Sequence, residues 1–151
     1  MAAVHPFREN PKGDKTVEPT TPNLQPTKAQ LWTGRVLSTL AILFLTFDAT
    51  IKLLRLPMVE EASAKLGYQS PTIFHIGMVL LVCVILYAIP QTSVLGAILL
   101  TGYLGGAVAT HTRVGDPLFS HILFPTYVGT LLWLGLYLRE PRLRALVPFR
   151  S

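Results

Sequence analysis

An all-α integral membrane four-helix bundle is the fold class this sequence predicts, on three observations. Of the 151 residues, 50% are hydrophobic and only 14% charged, too little charge for a typical soluble domain. The apolar residues gather into four continuous blocks after residue 30, each near the roughly 20 residues a helix needs to cross a bilayer. None of the blocks shows the alternating ten-residue pattern of a transmembrane β-barrel.

Residues 1–30 hold Pro6, Pro11, Pro19, Pro22 and Pro26 among Thr, Lys, Glu and Asn. That segment has too few apolar groups to offset chain entropy, so it reads as a disordered polar tail ahead of a membrane domain over 31–151. It has no apolar core and no small-residue cleavage site of a secretory signal, which makes the first span an uncleaved anchor.

The first span covers about 31–54, with Trp32 and Arg35 as interfacial anchors and Asp48 toward its far end. Residues 57–71 (PMVEEASAKLGYQSP) follow as a surface loop with a short amphipathic turn, bounded by prolines and holding Gly67. The second span, about 72–89, starts after Pro71 and ends at Pro90. Only Pro90, Gln91 and Thr92 separate it from the third span, 93–112, so those two form an antiparallel hairpin. In the third span Gly102, Gly106 and Thr110, with Gly105 and Ala109, line small residues along one face, a pattern that predicts close helix packing. The fourth span, 118–138, follows Asp116-Pro117 and ends at Arg139.

The formal net charge is +5, but the Lys and Arg residues are scattered, with no basic helix face, so nucleic acid is not the expected partner. The lipid bilayer is, with a membrane or cytoplasmic protein as the further candidate. Cys83 is the single cysteine, which excludes an intrachain disulfide, a CxxC redox pair and a cysteine zinc site. With four spans, nine Lys and Arg residues (Arg8, Lys12, Lys15, Lys28, Arg35, Arg139, Arg142, Arg144, Arg150) share one side and four (Lys52, Arg55, Lys65, Arg113) the other. The bias predicts both termini in the cytoplasm and a place in the inner, or plasma, membrane.

The ionisable residues at the span ends fall on the side with fewer cations. Asp48 and Lys52 close the first span, His75 opens the second, His111 and Arg113 close the third, and Asp116 and His121 open the fourth. Such groups are costly in lipid, so they are expected to face inward and to pair, forming a polar cap at one end of the bundle. Asp48 and Lys52, four apart, suit an ion pair, which serves equally as a structural bridge or as part of a site. Arg113 and Asp116, three apart, are expected to pair with each other or to cap helix ends. His75, His111 and His121 could converge on a quinone head group, a haem or a metal. Their spacing matches no ligand motif, and packing or interfacial roles are commoner, so haem and metal are disfavoured. Tyr103 lies in a Gly-rich span where its hydroxyl requires a partner.

LFLTFDATIKLL (43–54), LGY (66–68), the block LYAIPQTSVLGAILLTGYLGGAVATHTRVGDPLFSHILFP (86–125) and WLGLYLREPRLRALVP (133–148) together resemble the DoxX-like family of small four-helix membrane proteins. The GY-LGGA-ATH-R-GDPLFSH run is the most specific part. The resemblance implies a four-helix bundle and distant kinship with DoxX and DoxD proteins, the latter linked to a thiosulfate:quinone oxidoreductase. Without paired cysteines, no thiol–disulfide mechanism is carried over.

The expectation is therefore an accessory or ligand-binding subunit linked to membrane redox or quinone chemistry. Asp48, Lys52, His75, Tyr103, His111, Arg113, Asp116 and His121 are the candidate ligand-binding residues, and no catalytic residue is assigned. A small transporter or proton relay, and a structural scaffold, are the alternatives.

Overall fold

The computed structural model describes residues 26–146, so the tail expected over 1–30 lies, up to residue 25, outside the described residues. Thr27 starts the first helix as a capping box: its hydroxyl accepts from the Gln30 amide at 3.2 Å, and the Gln30 side chain accepts from the Thr27 amide at 3.0 Å. Helix α1 (Lys28–Leu53) therefore begins three residues before the apolar block does.

Helix α2 (Pro57–Lys65), with Pro57 in its first turn, is longer than the short turn expected there. Left-handed residues flank it, Arg55 at φ 51° and Gly67 at φ 85°, so the chain turns sharply on either side. Helix α3 (Ser70–Ala88) carries Pro71 in its first turn and stops before Pro90. Helix α4 (Ser93–Val114) ends on Gly115 at φ 74°, a left-handed cap that glycine adopts without strain.

The fourth span departs from the expected continuous helix. It is a π-helical turn (Leu118–Ile122), a break at Leu123, and helix α5 (Phe124–Arg139). Pro125 has no N–H to give to the His121 carbonyl, and its ring crowds the preceding turn. The chain before it closes wider rings instead, Ile122 bonding to Pro117 at 3.3 Å and Leu123 to Leu118 at 2.9 Å. Helix α6 (Pro141–Leu146) follows.

Helices α1, α3, α4 and the fourth span are each long and apolar enough to cross a membrane. They pack in the cyclic order α1, α3, α4, α5, each against its two neighbours. Leu45, Leu80, Leu100, Leu132, Leu136 and Tyr87 fill the centre. The Tyr87 hydroxyl donates to the Leu132 carbonyl at 2.9 Å and lies 3.0 Å from the Ser38 hydroxyl, joining α3 to α5 and α1.

Small residues do permit close packing, but not where the sequence pattern places it. A Cβ on Gly135 would sit 2.7 Å from Ser38 Oγ, and one on Gly34 would sit 2.9 Å from the Gly135 carbonyl, so α1 and α5 touch backbone to backbone. A Cβ on Gly96 would sit 2.3 Å from the Tyr87 amide nitrogen, fixing the α3–α4 hairpin. Gly102, Gly105 and Gly106 meet no atom of the described residues within 4 Å. These positions of α4 are exposed rather than pressed against a neighbouring helix, and spacing within one helix cannot reveal which face its neighbours use.

Candidate ligand-binding site

The break at Pro125 shapes the end of the bundle opposite the Pro90 hairpin. Along its length α5 packs on α1, but the π-helical turn before it packs on α4. The gap left between α1 and α4 is a cavity of about 550 Å³, roofed by α2. Met58, Val59, Ala62, Ser63 and Leu66 supply the roof, a spacing that puts them on one helical face.

Asp48 and Lys52 of α1 and Tyr103 and His111 of α4 line this cavity. The structure thus brings residues of the first and third spans onto one cavity, with Lys52 and His111 near the end of the bundle and Tyr103 about two turns deeper. Lys52 donates to Asp48 Oδ1, one turn apart, and both side chains are partly buried. The intrahelical pair offsets part of the cost of placing either charge in lipid. His111 Nδ1 lies 2.6 Å from Asp116 Oδ2. An ionised carboxylate only accepts, so Nδ1 carries the proton and Nε2 is the ring atom left for a ligand. The Tyr103 hydroxyl has no hydrogen-bond partner among the described residues.

The other candidates sit at the rim or outside it. The ring of His121 stands edge-on to that of His111 at 5.8 Å, is exposed, and has Nδ1 2.8 Å from the Ser120 hydroxyl. Arg113 does not pair with Asp116; its guanidinium donates to the Leu66 carbonyl at 2.7 Å and caps the end of α2. Asp116 is taken by His111 because the Gly115 turn folds it back toward the helix. His75 is exposed, its Nδ1 donating to the Pro71 carbonyl at 2.8 Å, and it does not line the cavity.

Sequence reading missed the roof and its fastenings. The Tyr68 hydroxyl lies 2.8 Å from Thr110 Oγ1, tying the α2–α3 connection to α4. Arg55 Nε and the Ser70 hydroxyl both donate to Glu60 Oε1, at 2.9 and 2.6 Å, and Arg55 also reaches Ser70. The Ser70 hydroxyl first, then the Arg55 guanidinium, hold the Glu60 carboxyl below the usual carboxylate range. The apolar spacing of 58, 59, 62 and 66 was the available signal for a helix lying on something.

A second hollow, about 600 Å³, runs along the outside between α4 and α5 and includes Thr101, Gly105, Gly129 and Trp133. It holds no Asp, Glu, Lys, Arg or His, so it suits lipid rather than a polar ligand. Among the described residues no group of three or more His, Cys, Asp and Glu converges as metal ligands would.

Four membrane-crossing helices and a partly buried polar cavity at one end define a multi-pass integral membrane protein with a small bundle fold. The chain belongs to the DoxX-like family, whose family model matches residues 36–135, from early α1 to late α5. No curated protein and no solved structure matches it.

Proposed function

We propose that the cavity binds the head group of a membrane-soluble quinone, and that the protein serves membrane redox chemistry as a ligand-binding or accessory subunit. The observation that carries this reading is the convergence of Asp48, Lys52, Tyr103 and His111 on one cavity whose remaining wall is largely apolar. Such a cavity, mostly apolar with a few convergent polar groups, is the usual form of a small-molecule site. Asp48 is answered by Lys52 and Asp116 is engaged in a hydrogen bond with His111, which favours an uncharged polar head over a free ion. Quinone oxygens accept hydrogen bonds, and Lys52 and the Tyr103 hydroxyl are donors of the required kind. The excess of Lys and Arg on the side of the termini supports cytoplasmic termini, with the cavity toward the outer face of the plasma membrane.

Gentle extraction in native lipid, followed by quantification of copurifying quinones, tests the reading. Enrichment over the bulk membrane, lost in His111→Ala and retained in His75→Ala, is the expected result. No enrichment, or equal loss in both variants, refutes it.

A transporter or proton relay is the weaker alternative. Leu80, Leu100, Leu132 and Leu136 are fully buried and line no part of the cavity, so among the described residues the centre of the bundle is largely apolar. Proton flux in proteoliposomes that disappears in Asp48→Asn would reverse that preference. A scaffold role would show instead as His111 and Asp116 variants losing protein yield with no change in bound ligand.

A further inference from the structure

Two walls separate the cavity from its surroundings, and they are closed in different ways. On the α2 side the closure is polar: Arg113 holds Leu66, Tyr68 meets Thr110, and Glu60 gathers Arg55 and Ser70. Between α1 and α5 the closure is apolar, an aromatic contact beside the buried Leu45, Pro125 and Val128. Phe44 and Phe124 meet edge to face, with centroids 5.4 Å apart and planes at 69°. Each ring lines the cavity and is also among the exposed large apolar side chains, 40% for Phe44 and 43% for Phe124. A side chain with one face on a cavity and another on the surface is a partition one ring thick.

The depth of this partition decides what lies beyond it. Phe44 precedes Lys52 by eight helical residues, a rise of about 12 Å. With Lys52 at the polar rim, Phe44 lies within the hydrocarbon layer, whose whole thickness is about 30 Å. The seam between α1 and α5 is tight at Gly34 and Gly135 and ends at the Phe44–Phe124 pair, where Pro125 breaks the fourth span.

We infer that Phe44 and Phe124 form a lateral portal, so that the ligand is an amphiphile whose head lies by Asp48, Lys52 and His111 while its apolar tail passes between α1 and α5 into the bilayer. The inference rests on the head-group site proposed above and adds a tail of defined path. A tail that stays in lipid is not transferred to water when the head docks, and the rings need only rotate about their side-chain bonds to admit it.

The test uses the full-length protein in lipid nanodiscs. The probe is a dimethoxybenzoquinone with a decyl tail bearing a diazirine on the methylene nearest the ring. Irradiation is expected to label peptides containing Phe44 and Phe124, and excess unlabelled decylbenzoquinone is expected to abolish that labelling. Phe44→Leu with Phe124→Leu should speed labelling of neighbouring α1 and α5 residues severalfold. Competed labelling confined to α2, or to the outer groove between α4 and α5, overturns the portal. A tritiated tailless benzoquinone tells the two readings apart. If it binds saturably to the wild type and not to His111→Ala, but the tailed probe gives no competed label at the portal, the portal alone falls. If neither quinone binds saturably, the head-group site falls with it.

Discussion

Asp116 Oδ2 accepts a hydrogen bond from His111 Nδ1 at 2.6 Å, across the left-handed turn at Gly115 that ends α4. A carboxylate behind an imidazole fixes its tautomer and ring orientation, here with Nε2 directed away from the pair. Asp116→Asn keeps the shape and removes the charge assistance. Both groups are partly exposed, so the expected loss is modest, about 1 kcal/mol, or roughly five-fold in affinity for a benzoquinone probe in nanodiscs. An unchanged dissociation constant would remove His111 orientation from the account of binding.

Glu60 gives the roof a pH dependence of definite sign. Its folded-state pKa lies below the ordinary glutamate value, through the Ser70 hydroxyl and then Arg55. A depressed carboxylate pKa contributes stability that is fully present above the unfolded value and is lost as pH falls through the folded one. The fastening of α2 is therefore expected to be intact at neutral pH and to weaken in acid below about 4.5. A spin label at position 58, in a Cys83→Ala background, should become more mobile over that interval. In Glu60→Gln the label should be mobile throughout, with a flat profile; a wild-type profile that is itself flat would show that Glu60 does not hold the roof.

The four spans were legible because hydrophobic blocks of bilayer length have few other structural solutions. The ends of the helices were less so. Thr27 and Gln30 form a capping box inside a stretch whose composition reads as tail, and Pro125 lies inside an apolar block that composition alone joins to Leu118. Topology was enough to put Asp48, Lys52 and His111 at one end, since antiparallel spans alternate. It could not give rotation about each helix axis, and rotation is what separates His75, turned outward, from Tyr103, which lines the cavity. The same limit explains the glycines: Gly102 and Gly106 have the familiar spacing, while the close contacts fall at Gly34, Gly96 and Gly135.

That contrast yields a direct comparison of stabilities. Gly96→Ala forces a methyl group against the Tyr87 backbone, with no flexible side-chain end to yield, and should destabilise by about 1–3 kcal/mol. Gly135→Ala meets the Ser38 hydroxyl and backbone and should behave alike. Gly102→Ala adds its methyl to open space, and is expected to stay within about 0.5 kcal/mol of the wild type. Reversible denaturation in mixed micelles measures all three. A Gly102→Ala loss as large as that of Gly96→Ala would mean that a neighbouring chain packs on α4.

Pro125→Ala tests whether the break creates the cavity or merely tolerates it. With an N–H restored at 125, the His121 carbonyl regains a partner, and 118–139 can run as the single helix its apolar block suggests. Pro125 stands in the first turn of α5, where a proline costs little, so any gain comes from the restored backbone hydrogen bonds, and the straightened span should be no less stable even though Pro125 is buried. Straightening would carry His121 and the Asp116 turn away from their present places and separate Asp116 from His111. The expected outcome is a benzoquinone affinity at least ten-fold weaker, with thermal stability equal to or above that of the wild type. Retained affinity together with lost stability would show that Pro125 only fills space, and the site would then owe its shape to α1, α2 and α4 alone.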